Sequence, residues 1–164
     1  MKVSLKRENI MAIWATLESL KDKKIGIRAT YAIVKNKKSI ATEVEAVQEA
    51  SRPPEGFIQY ERSRLEMCNT LANKDKDGKA ILIDGRFQFS EENQIEFNKQ
   101  LVSLQEQYKK ALEETQQLDD QVGNLLNETM EVELYQINMD QFNDGDLTVG
   151  QMEVLVDANI IIDD

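Results

Sequence analysis

A stripe of residues suited to the seam of a helix pair runs through the middle of this 164-residue chain. Its members follow each other in an unbroken 4-3-4-3 rhythm, and they are Phe97, Leu101, Leu104, Tyr108, Ala111, Thr115, Leu118, Val122 and Leu125. A mean spacing of 3.5 residues keeps one helix face against another helix along its length. Most residues between these positions are Gln, Glu, Asp, Lys or Asn. The pattern therefore predicts one long helix over 91–127, with Ser90 as its N-cap and its seam packed on a second helix.

A short strand and a helix are predicted at the start of the chain. Val3 and Leu5 alternate with polar neighbours, as the residues of a strand do. Helical spacing then predicts a helix over about 8–35 with one apolar face, which the lysine cluster 21–24 and Gly26 could end or kink. The residues assigned to that face are Ile10, Ile13, Trp14, Leu17, Leu20, Ile27, Tyr31 and Val34. We expect this face to lie in the core.

Two prolines divide the rest of the segment 1–72. Pro53 and Pro54 cannot continue a helix without losing backbone hydrogen bonds, so we expect a break near Ser51. Helical spacing predicts one helix before this break and one after it. A polar turn is predicted over 36–39, ahead of the first of these helices.

A β-hairpin is predicted over 79–90. Asp84 and Gly85 lie between two β-prone runs, and this dipeptide favours a type I′ turn, in which both central residues have positive φ. The acidic segment 131–164 is predicted to add a strand and a short helix, which the capping-box pair Thr148–Gln151 would open. The added strand could pair with the hairpin to make a three-stranded sheet.

These elements together predict a mainly α (α+β) protein with a single domain over 1–164. The expected architecture is an antiparallel helical bundle or a coiled-coil hairpin, with a small β-hairpin or three-stranded sheet. The middle of the stripe holds Tyr108, Ala111 and Thr115, which promote self-association less well than Leu or Ile. We therefore expect the seam to pack within the chain, and a homo-oligomer stays open.

The residue types exclude most catalytic systems. The chain has no histidine, so Ser-His and Cys-His nucleophiles and imidazole metal sites are excluded. Its one cysteine, Cys68, can form neither an internal disulfide nor a thiolate cluster, and we expect it to fill space on a helix. No glycine-rich phosphate loop is present. We predict that the protein is not an enzyme, and that it has no cofactor and no catalytic or metal-binding residues.

One segment partly resembles a calcium-binding loop. Asn73, Asp75 and Asp77 occupy its positions 1, 3 and 5, and Gly78 occupies position 6. Position 12 is Asp84 in place of the longer glutamate, and a hairpin is predicted where a helix should begin. A polar β-turn accounts for the same residues, so no metal is predicted, although calcium binding stays open.

The net charge of −10 is unevenly distributed. Residues 1–79 hold 16 of the 20 Lys and Arg against 11 acids, whereas residues 80–164 hold 4 bases against 19 acids. The asymmetry fits either an acidic surface for a partner or two halves that attract each other in the fold. It disfavours direct binding to nucleic acid. No apolar run is long enough to span a membrane.

The order of short motifs along the chain carries a resemblance to known proteins. The chain opens with Lys2–Leu5, turns at Lys74–Gly78, and continues through Ile83–Glu92 into the long helix. It closes with a Val-Glu-Leu strand at Val132–Leu134 and a Leu-Thr cap and helix at Leu147–Leu155. This layout resembles small acidic helical proteins of tailed bacteriophages. The similarity spans nearly the whole chain, and it includes no diagnostic residue.

The resemblance implies a bacteriophage protein in the cytoplasm of the infected host cell or in the virion. We expect it to act through protein–protein contacts, in virion assembly or as a small structural component. An alternative is an acidic inhibitor that imitates DNA and blocks a host nucleic-acid-binding or defence protein. The candidate contact residues are Leu101, Leu104, Tyr108, Leu118, Val122, Leu125, Ile160, Ile161 and Ile162. The three isoleucines are included because they would promote aggregation unless the protein or a partner covers them.

Overall fold

A computed structural model of the protein describes residues 1–143 and 145–163. Helix accounts for 63% of the chain, and the sheets are small, which confirms the mainly α (α+β) class. The helices are α1 (Arg7–Ser19), α2 (Ile27–Ala50), α3 (Glu55–Leu71), α4 (Glu91–Gln107), α5 (Lys109–Asn127) and α6 (Val149–Asp157). The strands are β1 (Lys2–Lys6), β2 (Leu82–Ile83), β3 (Arg86–Phe87), β4 (Thr129–Glu133), β5 (Ile137–Asn138) and β6 (Ile161–Ile162).

The chain divides into two compact units. Unit 1 consists of Met1–Ser51 and Gln121–Asp164, and unit 2 consists of Arg52–Asp120. Helix α5 contributes residues to both units. The expectation of a single domain stays a prediction.

The two longest strands of unit 1 come from opposite ends of the sequence. Strand β1 pairs antiparallel with β4, so that Val3 lies opposite Val132 and Leu5 lies opposite Met130. These four side chains are buried or half-buried, while their neighbours along both strands are mostly exposed. The predicted pairing of this C-terminal strand with the hairpin is therefore wrong. The alternation of β4 matches that of β1, and pairing the two places both apolar sets against one core.

The core of unit 1 is built from helices α1, α2 and α6 and the strands beside them. Its buried residues include Ile10, Ile13, Leu17 and Leu20, as the spacing predicts, and Trp14 packs against them half-buried. The connection between α1 and α2 shows that the single helix predicted over 8–35 is two helices.

The predicted polar turn over 36–39 lies inside α2. Asn36 is fully buried there, and lysine is a good helix former, so the polar residues do not interrupt the helix. The predicted break near Ser51 is confirmed, because α2 ends at Ala50 and Pro54 immediately precedes α3.

Helices α3 and α4 of unit 2 form an antiparallel hairpin. At one end, Asn93 Nδ2 donates a hydrogen bond to the carbonyl oxygen of Leu71 at 2.8 Å. At the other end, the rings of Tyr60 and Tyr108 lie 6.0 Å apart between centroids. Helix α4 begins as predicted with an N-cap, since the backbone N–H of Asn93 donates to Ser90 Oγ at 3.2 Å.

The connection between α3 and α4 holds the predicted β-hairpin. Strands β2 and β3 pair antiparallel around Asp84 and Gly85, which have φ values of 49° and 74°. Positive φ at both positions confirms the type I′ turn, although each strand is only two residues long.

The helix predicted over 91–127 is interrupted at one residue. Helix α4 ends at Gln107 and α5 begins at Lys109, because Tyr108 has φ −105° and ψ 16°. The interruption falls where Tyr60 packs on Tyr108 and where Gly56 approaches Ala111. The stripe is still the least exposed face of both helices, and every one of its nine residues is half-buried.

Candidate protein-binding surface

Three apolar residues of unit 1 lie exposed on one face of α2. Ile27 is 86% exposed, Tyr31 53% and Val34 45%. Their spacing of four and three residues places them in one row along the helix. The ring of Tyr135 meets that of Tyr31 edge to face, with centroids 5.6 Å apart. We name these four residues the tyrosine patch.

The opposite face of α2 explains why this row faces solvent. The residues that α2 buries recur every three or four positions, and they are Ala29, Ala32, Ile33, Asn36, Ile40, Val44 and Val47. The sequence interpretation assigned Ile27, Tyr31 and Val34 to the core, and that assignment is wrong. The row through Ala29, Ala32 and Ile33 faces the core, and the row through Ile27, Tyr31 and Val34 therefore lies on the outside.

The position of Tyr135 is fixed through its backbone. Asn36 Nδ2 donates to the carbonyl oxygen of Tyr135 at 3.0 Å, and the backbone N–H of Tyr135 donates to Asn36 Oδ1 at 2.7 Å. Ser39 Oγ donates to the carbonyl oxygen of the nearby Glu133. These bonds fasten the connection between β4 and β5 to α2, so the tyrosine patch is built on ordered backbone.

A groove with a volume of about 580 Å³ adjoins the tyrosine patch. The patch residues Ile27, Tyr31 and Tyr135 line it together with Arg28, Gln136, Ile137, Asn138, Asp140 and Gln141. Four of these nine lining residues are apolar or aromatic and five are polar, with Arg28 and Asp140 of opposite sign among them. The groove could therefore take an apolar side chain together with the polar groups beside it.

Two lysines extend the same face of α2 beyond the patch. Lys35 and Lys38 line a second groove of about 410 Å³, which Tyr135 and Glu133 also line. Both lysines are exposed, and neither forms an ion pair with any residue that the structure describes. The tyrosine patch is thus bordered on this side by two lysines that have no ion pair among the described residues, with the carboxylate of Glu133 in the same groove.

The contact residues predicted from the sequence lie elsewhere. Leu101, Leu104, Tyr108 and Leu118 are half-buried in unit 2, and Val122 and Leu125 are half-buried in unit 1. Their role in partner binding stays a prediction. Of the C-terminal isoleucines, Ile160 and Ile161 are 2% and 3% exposed and Ile162 is half-buried, and their role in partner binding also stays a prediction. Ile161 pairs with Ile137 in a parallel β5–β6 ladder, so the protein itself covers this apolar run.

The charge asymmetry of the sequence is partly compensated inside unit 1. Met1–Ser51 holds ten bases and six acids, whereas Gln121–Asp164 holds ten acids and no base. Arg7 is hydrogen-bonded to Glu43, and its Nη1 atom lies 2.6 Å from Oε2 of Glu128. These contacts raise the pKa of the Arg7 guanidinium.

The predicted acidic turn over 140–146 includes Asp144, which lies outside the described residues.

Neither the cysteine nor the calcium-like turn presents a reactive arrangement. Cys68 is 3% exposed, and burial raises the pKa of its thiol, which disfavours the nucleophilic thiolate. Asp75 Oδ1 accepts hydrogen bonds at 2.9 Å from the backbone N–H groups of Asp77 and Lys79. Within 1–143 and 145–163, no three His, Cys, Asp or Glu side chains are grouped to hold a metal ion.

Comparisons with protein-family models, curated proteins and solved structures found no match to this chain. The resemblance to bacteriophage proteins therefore stays a prediction. Among the described helices, none combines the length and the apolar character needed to cross a membrane.

The tyrosine patch was not recognised from the sequence. Helical spacing alone gives α2 two apolar rows, one through Ala29 and Ile33 and one through Ile27 and Tyr31. The second row continues into Lys35 and Lys38, which is the signal that could have placed it on the solvent side. The contribution of Tyr135 had no comparable signal, because it is brought to α2 by a contact 99 residues apart in sequence.

Proposed function

We propose that this protein acts by binding another protein through the tyrosine patch, and that it is not an enzyme. The observation that carries the proposal is the exposure of Ile27, Tyr31, Val34 and Tyr135 together beside one groove. Exposed apolar residues that cluster beside a groove are typical of interaction sites, and tyrosine is enriched where binding energy concentrates.

The surroundings of the patch indicate the chemistry of the partner. The apolar wall would accept an aromatic or aliphatic side chain, and Lys35 and Lys38 would meet carboxylates at its border. Apolar burial would supply most of the affinity, while the lysines would orient the partner and speed its approach. We infer that the partner presents an apolar side chain followed by acidic residues.

The biological setting proposed for this contact is a bacteriophage infection, in virion assembly or as a small structural component. It rests on the resemblance in motif order, and the absence of histidine from the sequence supports a role other than catalysis. The inhibitor alternative is less well supported. An ion pair between Arg7 and Glu128 joins the basic segment of unit 1 to its acidic segment, so part of the charge asymmetry has a role within the fold.

The proposal can be tested by comparative affinity capture from bacteria infected with the phage that encodes the chain. The variant Ile27→Ser/Tyr31→Ser removes two exposed members of the patch. The matched control is Val149→Ser, which changes a residue that is 77% exposed on another helix of unit 1. Mass spectrometry then identifies the proteins that each bait retains at low salt and at about 0.5 M salt, where exposed charge pairs are screened.

The expected result is a phage protein retained by the native chain and by the control, and lost by the double variant. Because its contact is mainly apolar, it should stay bound at high salt. Equal capture by all three baits would contradict the assignment of the patch. A partner that is a host nuclease or polymerase and is released by salt would instead support the acidic-inhibitor alternative.

A further inference from the structure

Unit 2 has few apolar residues that are fully buried. Over Arg52–Asp120, only Tyr60, Cys68 and Ala72 are buried apolar residues, and the other buried apolar residues described belong to unit 1. A pair of helices forms a single layer, and each helix covers only the seam of the other. A core of three side chains is small for 69 residues, so the free face of this layer is a candidate for further packing.

One continuous row on α4 is exposed and carries alternating apolar and charged residues. It consists of Ile95, Lys99, Val102 and Glu106, which are spaced by four, three and four residues. Ile95 is 71% exposed and Val102 67% exposed, although both are large aliphatic residues. Lys99 and Glu106 are exposed and form no ion pair within the described chain.

A groove continues this row toward α5. It has a volume of about 430 Å³, and it is lined by Val102, Gln105, Glu106, Lys109, Leu112, Glu113 and Gln116. Ile95 lies seven residues before Val102, while the groove extends beyond Val102 in the opposite direction. The exposed side chain of Ile95 and the groove therefore lie at similar distances on the two sides of Val102.

We propose that two copies of this chain associate through this row, with their α4 helices antiparallel about a twofold axis near Val102. The axis would place the partner's Ile95 in the groove beside Leu112, and the same contact would occur a second time. Val102 would meet its own symmetry mate. A twofold interface uses one surface patch on both subunits, so every contact in it must be self-complementary.

The charges on this row favour a second copy of the chain over a different protein as the partner. Lys99 lies three residues before Val102 and Glu106 lies four residues after it, so the axis brings Lys99 of each copy beside the partner's Glu106. Two opposite-charge pairs would form, and neither residue would have to leave an existing ion pair. Two hairpins that pack in this way give four helices, the smallest common helical bundle.

This interface is separate from the tyrosine patch, so the two proposals can fail independently. Sedimentation velocity of the full chain at micromolar concentrations tests it first, and the native chain is expected to sediment mainly as a dimer. The variant Val102→Glu would bury a carboxylate at the axis, and we expect it to raise the dissociation constant at least about tenfold. The matched control Val149→Glu replaces a similarly exposed valine and should leave the dimer intact.

Exchanging the charges of Lys99 and Glu106 distinguishes the proposed register from nonspecific association. Lys99→Glu places a carboxylate beside the partner's Glu106 at each of the two contacts and should weaken the dimer, whereas Lys99→Glu/Glu106→Lys should restore it. Circular dichroism of every variant checks that the helices persist, which we expect because all four substituted residues are exposed. A monomeric native chain, equal weakening by Val102→Glu and Val149→Glu, or failure of the double exchange to restore the dimer would each overturn the proposal.

Discussion

Asn36 and Tyr135 are joined by two hydrogen bonds that run in opposite directions between one side-chain amide and one backbone. The side chain donates at 3.0 Å and accepts at 2.7 Å, and Asn36 is fully buried. An amide is the right group for this position, since it offers a donor and an acceptor side by side. The pair fastens α2 to the connection between β4 and β5, and it thereby sets one wall of the tyrosine patch.

Replacing Asn36 by Ala should destabilise unit 1 strongly. The substitution removes two part-buried hydrogen bonds to the backbone of Tyr135, each worth about 0.5–1.5 kcal/mol, and truncates a side chain that is fully buried. We expect a loss of roughly 1–3 kcal/mol in the free energy of unfolding. Trp14, the only tryptophan, reports the unfolding of unit 1 by fluorescence in denaturant. The control Asn124→Ala, at an exposed helical position, should change stability little, and equal losses would contradict the role given to Asn36.

Two glycine-to-alanine substitutions should have opposite effects on stability. Gly85 has φ 74° in the hairpin turn, so Gly85→Ala should destabilise the protein by about 1 kcal/mol. Gly123 lies inside α5 with open space around its Cα, so Gly123→Ala should stabilise it by about 1 kcal/mol. Thermal unfolding followed by circular dichroism measures both. A stabilising Gly85→Ala would mean that the type I′ turn is not required.

Gly56 should not tolerate a methyl group, although it lies in the first turn of a helix. A Cβ atom at this position would stand 2.8 Å from the Cβ of Ala111, so α3 would have to move. We expect Gly56→Ala to cost about 1–3 kcal/mol. Gly150→Ala is the matched control, because Gly150 is also the second residue of its helix and has open space around it.

The reverse exchange tests the same contact from the other side. Gly56→Ala/Ala111→Gly moves the methyl group across the contact and should recover part of the loss. Chemical unfolding of the single and double variants gives the coupling between the two positions. Additive effects would show that the close approach does not determine the cost.

Glu18 should make the stability of unit 1 depend on acid pH. Its carboxylate is hydrogen-bonded to Lys37, which holds its pKa below the ordinary value of 4.5. A carboxyl whose pKa is lowered by folding stabilises the protein above its unfolded pKa, and this contribution is lost as the pH falls through the folded pKa. The difference in unfolding free energy between the native chain and Glu18→Gln should therefore be constant above about pH 4.5. Below that pH the difference should shrink toward zero.

The control for this prediction is Glu45→Gln, which changes an exposed carboxylate without an ion pair among the described residues. Its difference from the native chain should stay small at every pH. Denaturant titrations followed by Trp14 fluorescence suit both variants, because the Lys37 ammonium lies 5.1 Å from the centre of the Trp14 ring. A stability difference between Glu18→Gln and the native chain that persists at low pH would contradict the role given to the Glu18–Lys37 ion pair.

Some elements follow from the sequence because their causes are local. The type I′ turn at Asp84 and Gly85, the cap at Ser90 and the capping box of Thr148 and Gln151 all appear where the residues predict them. Each is decided within a few residues, by backbone conformation or by one side-chain hydrogen bond. The stripe from Phe97 to Leu125 also lies on one helix face as its spacing predicts, apart from the interruption at Tyr108.

The features that sequence patterns misplaced all depend on distant contacts. Spacing could not tell which of the two apolar rows on α2 faces the core. Asn36 is typical of a turn in the sequence, and only its hydrogen bond with the distant Tyr135 explains its place inside a helix. Local residues thus determined where helices, caps and the hairpin turn form. The tertiary structure decided which faces are covered, because covering depends on the shape of neighbours that are far away in the sequence. That choice buries Ile160 and Ile161 and leaves Ile27 and Tyr31 on the surface.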